Sequence, residues 1–142
     1  MSPSTYTEDL LVEQPAIQLF AELGWETLSA SDEMLGASGT LGRETKSEVV
    51  LAARLRSVLT KLNTSLPPEA ISAAVDELSR DRSAMTPTGA NREFWQLMRD
   101  GLRVSVPDAE KGGVKTERVN VVDWDNPSSN DFLLVSQMTI VG

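Results

Sequence analysis

The order of its periodicities constrains this chain most. Up to Asp100 the apolar residues recur at helical spacing, and beyond Gly101 they tend to alternate. Helices first and strands after predict an α+β fold rather than repeated βαβ units. Proline and glycine mark the joints. A first helix is predicted over residues 6–23, with Thr5 and Glu8 spaced as a capping box. Pro15 either kinks that helix or opens the second of two shorter pieces. Gly24 suits the position just past its end, with Trp25 folding back on the last turn. Residues 26–30 read as a short strand. Residues 31–45, with Gly36, Gly39 and Gly42, read as a flexible connector. Further helices are predicted over 47–62, capped by Ser47, over 69–80 behind Pro67-Pro68, and over 86–100. Strands at 102–106, 118–124 and 132–141, separated by polar turns, form an antiparallel meander.

One residue breaks the pattern of the first helix. Leu10, Ile17 and Phe20 make an apolar stripe, and Glu13 falls on it, three residues after Leu10 and four before Ile17. Burying a carboxylate there is costly unless it is paired, hydrogen-bonded or bound to a metal. Periodicity alone favours the plainer placement: Glu13 at the stripe's wet edge, or bonded to a free N–H where Pro15 interrupts the helix.

Composition narrows the chemistry. The 142 residues contain no cysteine and no histidine, which excludes disulfides, thiolate metal sites and histidine general bases. Catalysis would have to use carboxylates, lysine or a hard cation such as Mg2+ held by oxygen. The net charge is −8, so contact with nucleic acid would need a local basic patch or a partner. No apolar run is long enough to span a membrane, and the polar N-terminus lacks a signal-peptide layout, so a cytoplasmic location is expected. A phosphodiester can be cut by Mg2+ held between an acid on one strand and an acid–x–lysine pair on the next. Glu44-Thr45-Lys46 and Pro107-Asp108 match fragments of that pattern but fall in a connector and a turn. Asp123 and Asp125 flank Trp124 and read as a polar strand end. Phe94, Trp95, Leu97 and Met98 read as core.

Several segments then resemble one family in the right order: residues 6–15 (YTEDLLVEQP), Gly24-Trp25, Gly42-Arg43-Glu44-Thr45, Ala90-Asn91-Arg92-Glu93, residues 121–127 (VVDWDNP) and 130–137 (NDFLLVSQ). They resemble the N-terminal region of the restriction (R) subunit of type I restriction-modification enzymes, over almost the whole chain. The resemblance implies that residues 1–142 are the incomplete start of a PD-(D/E)xK nuclease domain. In the full subunit that domain is joined to an ATP-driven motor, works with methyltransferase and specificity subunits, and cuts unmethylated double-stranded DNA after translocation. The Pro-Asp and E-x-K strands would follow the strand at 132–141. Glu13 matches the family's early-helix glutamate, which implies a catalytic, Mg2+-binding role; ATP would belong to the motor. The expectation is that this chain alone does not cleave DNA. The alternatives are a truncated, non-catalytic interaction module or decayed gene product that pairs through its last strand, and a chain that binds DNA without cutting it.

Overall fold

The computed structural model describes residues 9–142. The Thr5/Glu8 capping box and Tyr6 lie outside the described residues. The chain divides into two compact units, Met1–Val49 with Asp131–Gly142, and Val50–Asn130.

In the first unit the helix is split at Pro15. A π-helical turn, Asp9–Glu13, leads into helix α1, Gln14–Glu22, with Pro15 in its first turn, where a missing N–H costs least. Its end follows the expectation closely. Gly24 adopts φ +92°, its N–H reaches the Ala21 carbonyl at 3.0 Å, and the Trp25 N–H reaches that of Phe20 at 3.0 Å. Trp25 then packs edge-on against Phe20 and stacks on Phe132, with centroids 4.8 and 4.9 Å apart. Strand β1, Glu26–Ser29, follows at once.

The connector over 31–45 is not loose. Arg43 is buried and spends its donors on Glu33, on the Lys46 and Glu48 carbonyls, and on the Thr139 carbonyl at 2.7 Å. This clamp also explains why the next helix starts late. The Lys46 and Glu48 carbonyls accept from Arg43, and the Ser47 hydroxyl bonds Thr45 at 2.7 Å, so Ser47 caps nothing.

The second unit opens with helix α2, Ala52–Leu62, rather than at Ser47. Helix α3, Pro68–Leu78, and helix α4, Pro87–Asp100, lie where expected; the Thr86 hydroxyl caps α4 by accepting the Gly89 N–H. Strand β2, Leu102–Pro107, pairs antiparallel with strand β3, Val114–Val119. The core joins Leu59 of α2, Ala70, Ile71, Ala74, Val75 and Leu78 of α3, and Leu102, Val104, Val106 and Val119 of the hairpin. The alanines on α3 let the hairpin come close, and each large apolar side chain buried there contributes about 1.5–3 kcal/mol.

Two strand expectations are corrected. The strand expected at 118–124 lies at Val114–Val119. Gly112 and Gly113, both at positive φ, close the turn just before it. Beyond it, the Asn63 side chain takes both the Asn120 N–H at 2.8 Å and the Asn120 carbonyl at 2.9 Å, ending the ladder. The strand expected at 132–141 is shorter, β4, Leu133–Ser136, and returns to the first unit. There it pairs parallel to β1, Glu26 opposite Leu133 and Ser29 opposite Ser136, so the antiparallel meander is not formed. Parallel pairing needs a long connection between strands, and residues 30–132 supply it. Mixed helix and strand, hence α+β, holds.

Candidate functional site

The site grows from the junction between the π-helical turn and α1. Glu13 is the last residue of that turn. Its side chain is half-buried beside the parallel β1–β4 pair. The Gln137 amide nitrogen donates to both carboxylate oxygens, at 3.0 and 2.8 Å. Gln137 directly follows β4 and holds φ at +58°, the only non-glycine residue at positive φ among those described. Such a backbone is unusual for glutamine and is retained where surrounding structure enforces it. Glu13, Gln137, Thr27, Ser29, Ser31 and Ser136 line one open cavity of about 530 Å³ together with the apolar Ile17 and Leu28. Its donors are carboxylate, hydroxyl and amide oxygens, the hard set that suits Mg2+.

Among the described residues no group of three or more His, Cys, Asp or Glu is placed to hold a metal ion. Glu13 therefore stands as a single carboxylate on the cavity wall. With Gln137 occupying one lone pair on each oxygen, further lone pairs remain for a cation.

The other sequence candidates resolve as structural. Asp108 folds the hairpin turn, accepting the Glu110 and Lys111 N–H groups at 3.0 and 3.1 Å. Asp123 accepts the Asn126 N–H at 2.9 Å and is bracketed by Asn130, in a turn rather than on a strand. Glu44-Thr45-Lys46 lies in the clamped connector, off any strand. Trp95 departs from the expected core: it is about half exposed and meets Trp124 edge-to-face at 6.1 Å.

Two residues of this unit escaped sequence reading. Gln137 looked like one more polar residue in a strand, because nothing in an alternating pattern marks a left-handed break. Arg43 sat among glycines, which suggest freedom, yet it is buried against Glu33. Hydrogen bonding to Arg43 holds the Glu33 carboxyl below the usual carboxylate range, more strongly than burial raises it.

Comparison with known proteins places the chain in a class. Residues 5–142 match the family described as "Type I restriction enzyme R protein N terminus (HSDR_N)". The chain belongs to that family. It is 32% identical over 129 residues to the "Type I restriction enzyme HindI endonuclease subunit" of Haemophilus influenzae, a match covering 91% of this chain and 12% of that protein. No solved structure matches the chain. Among the described residues no helix is long and apolar enough to cross a membrane.

Proposed function

We propose that this chain supplies the N-terminal part of a Mg2+-dependent nuclease, of the PD-(D/E)xK kind, in a type I restriction R subunit. The complete enzyme would cut unmethylated double-stranded DNA after ATP-driven translocation, in complex with methyltransferase and specificity subunits. One observation carries the reading of the site: Glu13, the carboxylate that intrudes on the apolar stripe, opens onto a cavity lined by several hydroxyl side chains, with both its oxygens accepting from the one Gln137 amide nitrogen.

Bound Mg2+ would stabilise the charge that develops on the phosphate and lower the pKa of an attacking water. The residues of this chain would do less. Glu13 would be one ligand, and a single carboxylate with neighbouring hydroxyls does not complete an Mg2+ site. Gln137 would orient that carboxylate by its amide, leaving the outer lone pairs free. The second acid and the E-x-K pair would have to come from residues outside this sequence, since Asp108 folds the hairpin turn and Lys46 lies off any strand.

The reading predicts that the 142-residue chain with Mg2+ leaves plasmid DNA intact; nicking by the purified chain would refute it. In the complete subunit, Glu13→Ala should lower DNA cleavage about a hundredfold or more while ATP hydrolysis stays at the parent rate. Unchanged cleavage would remove Glu13 from the metal site.

A further inference from the structure

The charge of the chain is unevenly divided. Residues 50–130 carry eleven Lys/Arg and eleven Asp/Glu, while the remainder carries two and ten, so the whole net charge of −8 belongs to the first unit. Within the neutral second unit, the outward face of the β2–β3 hairpin is basic. Val104 and Val106 turn into the core, which leaves Arg103 and Ser105 exposed on β2, and Thr116 and Arg118 exposed on β3. The register sets Arg103 directly opposite Arg118, and Ser105 opposite Thr116.

Like charges directly opposite in an antiparallel pair work against the hairpin. Among the described residues, neither arginine forms a hydrogen bond or ion pair. Asp100, the carboxylate that feels the charge of Arg118, is already bound by Arg99 at 2.9 and 2.8 Å. Arg118 also lines a cavity of about 340 Å³ with Trp124. Asp123 and Asp125 line it too and disfavour an anion inside, so the open hairpin face is the anion's place.

We propose that this face docks the phosphate backbone of duplex DNA, with Arg103 and Arg118 bridging phosphates and the Ser105 and Thr116 hydroxyls donating beside them. Guanidinium and hydroxyl donors in one row are the set that backbone contacts use, and they position a protein on DNA without reading sequence. A polyanion across the pair would turn an unfavourable opposition into two favourable contacts. The inference rests on the reading that the chain works on DNA, and not on the role of Glu13.

The test is anisotropy of a labelled DNA duplex titrated with the 142-residue chain at low salt. Saturable binding is expected, with a log–log salt slope of about −2 for two neutralised phosphates. R118E should weaken it about tenfold or more. Because R118E also sets opposite charges across the ladder, its melting temperature should match or exceed the parent's, which separates lost binding from lost folding. The double variant Arg103→Gln with Arg118→Gln should lose binding similarly, while Arg56→Gln on α2 should not. Failure of the parent chain to bind duplex, or full affinity in R118E, would overturn the proposal. So would equal, Arg118-dependent binding of polyglutamate, which would assign the face to an acidic polypeptide. None of these results touches the Glu13 site, and an inactive role for Glu13 leaves this face standing.

Discussion

Gln137 carries a backbone conformation that costs a non-glycine residue roughly 1–3 kcal/mol. Its amide holds Glu13, so the conformation and the site are linked in one residue. Gln137→Gly should leave the melting temperature unchanged or raise it, since glycine adopts the same φ freely, yet lower cleavage in the complete subunit by releasing Glu13. Equal loss of stability and activity would instead make Gln137 merely structural. Glu33 gives a second prediction. Its folded-state pKa is depressed, chiefly by its hydrogen bond to Arg43, so it stabilises the fold above the usual carboxylate range. That stabilisation is lost as pH falls through the lowered folded value. Glu33→Gln should therefore melt several degrees lower than the parent near neutral pH, with the gap narrowing in acid; parallel melting curves at all pH values would contradict the clamp. At this scale the sequence was partly legible. Glu13 stood out because charge on an apolar stripe is visible one-dimensionally. Its partner Gln137, 124 positions away, was not, because nothing local records which strand end returns to the first helix.

Elements were read best where their signals are local. Gly24 with its folded-back Trp25, the Pro67-Pro68 start of α3 and the start of α4 at Thr86-Pro87 each depend on a few neighbouring residues. Where distant groups set the boundary, periodicity misplaced it. Carbonyls bound to Arg43 delay α2, and Asn63 ends β3 by bonding Asn120. Asn63 is 7% exposed and joins the end of α2 to the end of the hairpin by two hydrogen bonds with Asn120, while its amide also donates to the Leu59 carbonyl within α2. Asn63→Ala would strand buried backbone groups and should cost about 2–3 kcal/mol in a denaturant titration. Gly101 sits at φ +80° between α4 and β2, and a side chain there would come within 2.7 Å of the Val119 carbonyl. Gly101→Ala should therefore be destabilising by about 2 kcal/mol or more, whereas the same change at Gly112, whose surroundings are open, should cost less. Similar losses at both glycines would contradict the close approach at Gly101. Alternation in the last strand showed that a strand exists but not its partner, which is why the parallel β1–β4 pair replaced the expected meander.

At the scale of the molecule, the two units differ sharply in charge. The first holds Glu13 and the entire net negative charge; the second is neutral and presents the opposed arginines. Membership of the type I R-protein N-terminal family was legible from ordered short segments, and the family match spans residues 5–142. The chain spans 12% of the Haemophilus influenzae subunit it resembles, and the proposed role of Glu13 is tested in a complete subunit. The most direct test is the Mg2+ dependence of DNA cleavage by the complete subunit carrying Glu13→Gln, a change that keeps shape and removes charge. If Glu13 is a metal ligand, the Mg2+ concentration for half-maximal cleavage rises about tenfold or more, while that for ATP hydrolysis does not move. An unchanged Mg2+ dependence of cleavage would contradict the account.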